Sequence, residues 1–220
     1  MSVAEKASQN TAFATLRRLA TARKTIERCD FCGAGLGEVH QHLIEPERRR
    51  LVCVCGACAV LFGSQGETAY RRSPRRVIYL PDFRLTDAQW EGLLIPIQLA
   101  FFFHSSPAGR VIALYPSPAG PTESLLDLAI WDEIAQDNPA LKSMSPDVEG
   151  LLVNRIAKAG AAGVGPEYFI APIDECFKLV GLIRTNWRGL SGGEEAWEEI
   201  GRFFADLKSR ANEFGEASRA

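Results

Sequence analysis

No stretch of this 220-residue chain approaches the roughly 20 consecutive apolar residues that a membrane-spanning helix needs. The longest apolar run, residues 93–103, is broken by Pro96 and Gln98. The opening Met-Ser-Val-Ala-Glu-Lys carries no apolar signal region, so a cytoplasmic location is expected. Also missing are the phosphate-binding G-x-x-x-x-G-K, the dinucleotide fingerprint and the G-x-S-x-G elbow. Histidine is scarce, at three residues. His104 follows a run of phenylalanines and reads as a structural strand-end residue; Ser105 makes it no base–nucleophile pair, because adjacent strand residues point to opposite faces. There is no internal repeat and no low-complexity tract. With no catalytic constellation in view, the expectation is a protein that is not an enzyme.

Cysteine, by contrast, is concentrated. Five of the six lie between positions 29 and 58, as Cys29-Asp-Phe-Cys32-Gly33 and Cys53-Val-Cys55-Gly56-Ala57-Cys58. In a reducing compartment such clusters read as metal ligands rather than disulfides. Two C-x2-C turns brought together by a hairpin make a tetrahedral four-sulfur site, which suits zinc, with iron as the alternative. Gly33 fits a turn that needs a residue tolerant of positive φ. The matching pairs select Cys29, Cys32, Cys55 and Cys58 as the ligands and leave Cys53 spare. Strand alternation puts Cys53 on the face of Cys55, close enough to exchange in. His40 and His42 share a strand face, where they can replace one cysteine, stand behind the ligands, or have no role. An iron–sulfur cluster is a further option for five thiols. Cys176, alone in an apolar segment, reads as a buried core thiol.

Charge is unevenly spread. The net charge is −2, but residues 1–80 carry 13 Lys/Arg against 7 Asp/Glu and residues 81–220 carry 12 against 20. The basic part, with Arg48, Arg49, Arg50, Arg71, Arg72, Arg75 and Arg76, could contact phosphates. It could equally dock on the acidic half of the same chain or on an acidic partner. Few aromatics interleave with these arginines, so a nucleic-acid stacking platform is not expected.

Three regions follow: an N-terminal helix within residues 1–25, with its apolar stripe extending over 11–28; a zinc-ribbon-like metal module and linker, 26–75; and an α+β domain, 76–220. In the module, alternation marks strands at 38–44 and 50–54, and residues 63–68 break the pattern as a linker. In the domain, strands are expected at 77–80, 99–103, 111–115 and 168–170, with 148–153 open between strand and helix. Pro107-Ala-Gly109 suits a hairpin turn. One helix is expected from near Thr122 to before Asn138-Pro139, one capped by Asp174, and one opened by a capping box from Ser191 to Glu194. The fold class is thus α+β: a small zinc-ribbon-like module attached to a mixed or antiparallel sheet packed with helices. The segment Tyr115-Pro-Ser-Pro-Ala-Gly-Pro-Thr-Glu123 stiffens a strand-to-helix turn, and Tyr115, Ser117, Gly120 and Thr122 are candidates for meeting an anion or a partner.

The cysteine pattern together with Tyr115-Pro-Ser-Pro-Ala-Gly-Pro-Thr-Glu-Ser124, Pro146-Asp-Val-Glu-Gly-Leu-Leu-Val153, Pro172-Ile-Asp-Glu-Cys-Phe-Lys-Leu-Val-Gly181 and Trp187-Arg-Gly-Leu-Ser-Gly-Gly193 resembles an uncharacterised bacterial family. It is a domain of unknown function often encoded beside nickel–iron hydrogenase genes. The resemblance covers residues 26–210. It implies an accessory role with hydrogenase subunits or maturation factors and supplies no catalytic residues. The expected function is a non-enzymatic metal-binding adaptor in assembly, maturation or docking. A rubredoxin-like electron-transfer protein and a zinc-ribbon nucleic-acid regulator are the alternatives.

Overall fold

A computed structural model describes residues 26–63, 69–125, 128–156, 165–189 and 191–214. The helix expected over 11–28 falls almost wholly outside the described residues. Its last part, 26–28, is not helical, and Arg28 bridges to Gly35. The linker expected at 63–68 is described only at Gly63.

The N-terminal module is a three-stranded antiparallel sheet in the order β2-β1-β3, with one short helix. β1 (Gln41–Glu45) and β2 (Arg50–Val54) pair from Gln41 opposite Val54 to Glu45 opposite Arg50. β3 (Arg71–Arg72) adds to the other edge of β1. The turn between β1 and β2 opens on Pro46 and ends at Arg49, which takes the left-handed conformation at φ 49°. α1 (Gly56–Phe62) follows β2 directly. Side chains alternate across β1 because successive strand residues face opposite ways. Leu43 turns into a small core with Val52, Val54, Cys29, Cys58 and Ala59, while Ile44 turns into the core of the body.

The body is a seven-stranded sheet, β10-β4-β9-β8-β5-β6-β7. Its strands are β4 (Ile78–Tyr79), β5 (Leu99–Ser105), β6 (Arg110–Ser117), β7 (Gly120–Glu123), β8 (Glu149–Asn154), β9 (Glu167–Pro172) and β10 (Asn212–Glu213). All neighbours are antiparallel except β10 and β4. The turn after β5 forms at residues 106–109, with Gly109 at φ 62° and its amide donating to Ser106 O. Helices cover both faces. One face packs Phe101, Ile112, Leu152 and Phe169 against α4 (Ile173–Asn186) and α5 (Gly193–Arg210). The other packs Phe102, Ala113, Leu151 and Ile170 against α2 (Asp87–Gly92) and α3 (Leu128–Asp137). This is why residues 99–103 read as an unbroken apolar run: every one is buried, whichever face it takes. The segment open between strand and helix is β8, buried along its whole length.

Three expected helix starts are corrected. The helix expected from Thr122 is described over Leu128–Asp137, and Thr122 itself belongs to β7. α4 is preceded by Pro172 rather than capped by Asp174, whose carboxylate is taken by His42 and Ser73. No capping box forms at Ser191. Gly192 and Gly193 adopt φ 87° and 77°, α5 starts from Gly192, and Ser191 O accepts from Trp197 Nε1 instead. A capping box does form at Thr86, where Thr86 Oγ1 accepts from the Gln89 amide and the Gln89 side chain from the Thr86 amide.

Gly63 closes α1 onto the hairpin. A Cβ there would stand 2.5 Å from Ala59 O and 2.7 Å from Leu43 Cδ2. Gly63→Ala is expected to destabilise the module by ~1–3 kcal/mol. Hydrogen exchange of the module amides reads this directly, and unchanged protection would show that the helix end yields without cost.

Candidate metal centre

Two separate turns deliver the four sulfurs. Cys29 and Cys32 flank a tight turn in which the Gly33 amide donates to Cys29 O at 2.8 Å, and Gly33 takes φ 72°. The turn is stitched to the end of β2: the Asp30 amide donates to Cys53 O at 2.9 Å, and the Cys53 amide donates to Asp30 Oδ2 at 2.8 Å. Cys55 and Cys58 belong to the start of α1, Cys55 as its N-cap. The sulfurs of Cys29, Cys32, Cys55 and Cys58 all lie within 4.8 Å of one another. Cys29 and Cys58 are buried, Cys55 is half-buried and Cys32 is exposed.

The electrostatics of the four thiols match a cation site. Burial pushes the Cys29 thiol up, but amides of Cys55, Cys32 and Phe31 donate to its sulfur and bring it down to about 6. The Cys58 thiol is pushed up to about 12, by burial first and then by the sulfurs of Cys55, Cys29 and Cys32. Four thiolates cannot share this space unaided. A cation at their centre removes that conflict, so the residues present fit a metal, and the tetra-cysteine cluster could hold one.

Cys53 stands apart from this set. β2 ends at Val54 and the chain turns into α1, so strand alternation does not carry from Cys53 to Cys55. Cys53 is grouped with His40 and His42, with one ligand atom from each within 4.8 Å of the others. Cys176 is fully buried in the body core.

The loop residues singled out in the body form a hairpin rather than a helix start. Tyr115 and Ser117 lie on β6, and Gly120 and Thr122 on β7, with Tyr115 opposite Thr122 and Ser117 opposite Gly120. Ser117 Oγ donates to Gly120 O at 2.8 Å and accepts from the Ala119 amide and Thr122 Oγ1. Pro121 sits on an edge strand, where its missing N–H costs no ladder bond. Tyr115 and Ser117 also line an apolar groove of ≈ 410 Å³ with Ile97, Pro116, Trp187 and Trp197.

The body and the module together match one family description. Residues 28–211 match the Family of unknown function (DUF5947). The chain belongs to this family. The match spans both the cysteine module and the sheet, so the family unites them in one unit. No curated protein and no solved structure matches the chain. No helix among the described residues is long and apolar enough to cross a membrane.

The arginines near the module are largely engaged by carboxylates of the same chain. Arg48 and Arg50 reach Glu45 at 3.2 and 3.0 Å, and Arg49 reaches Glu123 on β7 at 2.8 Å. Arg76 grips the fully buried Glu149 through Nε at 2.6 Å and Nη2 at 2.7 Å. Reasoning from sequence had no signal for the Asp174 and Glu149 contacts, whose partners lie 132 and 73 residues away.

Proposed function

We propose that this protein is a non-enzymatic, metal-stabilised adaptor, with zinc held by Cys29, Cys32, Cys55 and Cys58. The closed four-thiol set carries this reading: all four corners of a tetrahedron are supplied by protein, which is the arrangement of structural zinc. Among the described residues the module core contains six buried residues, few for holding a hairpin and one helix by burial alone. Zinc supplies the rest by tying the Cys29 turn to the start of α1. The partner is a protein, and the resemblance in the segments at 115–124, 146–153, 172–181 and 187–193 points to subunits or maturation factors of a nickel–iron hydrogenase. Two of those segments supply Tyr115, Ser117 and Trp187 to the apolar groove, which is the proposed partner surface. The engagement of Arg48, Arg49 and Arg50 by Glu45 and Glu123 speaks against a nucleic-acid role.

Elemental analysis and an absorption spectrum of protein purified without oxygen are expected to show zinc and no visible colour. Iron with a reversible one-electron couple would replace this reading with rubredoxin-like electron transfer. A tagged full chain is expected to retain hydrogenase subunits from cells that make the enzyme, and Trp197→Ala to release them. Retention unaffected by that change would move the partner surface elsewhere.

A further inference from the structure

His40, His42 and Cys53 occupy the hairpin face opposite the row that packs with Cys29 and Cys58. His42 is the cross-strand partner of Cys53, and His40 lies two residues earlier on the same face. That face is turned toward the body, as Ile44 in the same row shows by entering the core formed with α4 and α5. A ring nitrogen of each histidine and the Cys53 sulfur lie within 4.8 Å of one another.

Both rings are held in one tautomer. His40 Nδ1 is 3.0 Å from Gly37 O, which only accepts, so Nδ1 carries the proton. His42 Nδ1 is 2.7 Å from Asp174 Oδ2, and Asp174 Oδ1 accepts from Ser73 Oγ at 2.6 Å. Each ring is left with Nε2 as the free lone pair, and an oxygen-bound Nδ1–H is the usual support behind a metal-ligating histidine. His40 Nε2 is buried with no hydrogen-bond partner, on a side chain only 8% exposed. Glu27 Oε2 stands 3.6 Å from it, outside hydrogen-bond distance. A buried nitrogen left unpaired is unfavourable, and a cation relieves it. The carboxylates of Glu27, Asp30 and Asp174 add negative charge around Cys53.

We infer that His40, His42 and Cys53 form a second metal site, taking a divalent first-row cation such as zinc with three protein ligands and a fourth position open to water or a small donor. Two neutral imidazoles and one thiolate suit zinc, and on binding the Cys53 thiol gives its proton to solvent. Three protein ligands and an open corner are the pattern of a metal that meets outside ligands, unlike the closed four-sulfur set. The inference goes beyond the adaptor reading and needs no partner. Asp174, on the first turn of α4, is a positioning residue that orients His42 from the body.

Titration of the metal-free full chain with Zn²⁺, and with Co²⁺ as a coloured probe, tests it. Two equivalents are expected, the first with the intense absorption of four thiolates. Cys53→Ser and His40→Gln should each take up one equivalent with the four-thiolate spectrum intact, which also reports that the module is folded. Asp174→Asn should weaken the second equivalent by about 10–100-fold and leave the first unchanged. Uptake of one equivalent by the unaltered chain, or of two by Cys53→Ser, would overturn the second site. Loss of the four-thiolate spectrum in Cys53→Ser would instead place Cys53 in the first site and refute both the second site and the ligand set.

Discussion

Cys29→Ser is expected to release the ion from the four-sulfur site and to unfold the module, leaving the seven-stranded body folded. Structural zinc in small finger modules contributes about 10–16 kcal/mol of apparent binding free energy at pH 7, and that energy is folding energy. Here the burial available to replace it is small: Leu43, Val52, Val54 and Ala59, with the two buried cysteines. The body, by contrast, carries two cores, one on each face of its sheet. Limited proteolysis should therefore cut between residues 29 and 62 in the variant and spare the sheet, with metal lost from the whole module, since His40, His42 and Cys53 lie on the same hairpin. Cys53→Ser, outside the four-sulfur group, should keep the four-thiolate equivalent and the protection. Equal loss in both variants would show that Cys53 ligates the same ion.

The second large effect is expected from Arg76→Met. Glu149 is fully buried, and its carboxylate is matched by the Arg76 guanidinium and by the Ser145 amide at 2.8 Å. Removing one partner of such a pair leaves an uncompensated charge. The expected cost is about 3 kcal/mol, the low end of the range for buried pairs, because the Arg76 side chain is 45% exposed and partly screened. The pH dependence gives a second reading. Burial pushes the Glu149 carboxyl up, but Arg76 and the Ser145 amide hold it below the usual range. A depressed folded-state pKa contributes stability that is present above the unfolded value and lost as pH falls through the folded one. In Arg76→Met, burial dominates and the carboxyl rises above its usual range, so stability should be gained as pH falls into the range where Glu149 protonates. Denaturant midpoints measured across pH 3–7 check this (roughly the range in which carboxyls titrate). Parallel curves for the two proteins would rule out the pair as their source of difference.

The parts of the fold legible in the sequence are those encoded by near neighbours. The C-x2-C spacing is local, and the structure brings the four named sulfurs together. Strands β5, β6 and β9 and the turn ending at Gly109 follow from alternation, apolar runs and turn chemistry. What misled was local signal overridden at a distance. Asp174 has the residue type and position of a cap, yet its carboxylate serves His42 and Ser73 from far earlier in the chain. The three prolines at 116, 118 and 121 suggested a stiff lead into a helix, but they sit in a hairpin whose second strand is an edge. Cys53 was placed on the face of Cys55 because alternation was extended one residue past the end of β2. Nothing within a few residues of His40 or Cys53 announces that they meet across a hairpin and face the body.

The place of β4 in the sheet sets an order of events. Its neighbours are β9 and β10, so Ile78 waits for Ile170 on one side and Asn212 on the other. The chain through Ile170 must leave the ribosome before the first strand of the body is paired, and such long-range closure is slow. The four sulfurs need only residues 29–58. The cysteine turn can therefore capture its ion while the sheet is still being synthesised. His42 gains its Asp174 support only after α4 has emerged. Translation itself separates in time the completion of the two faces of one hairpin.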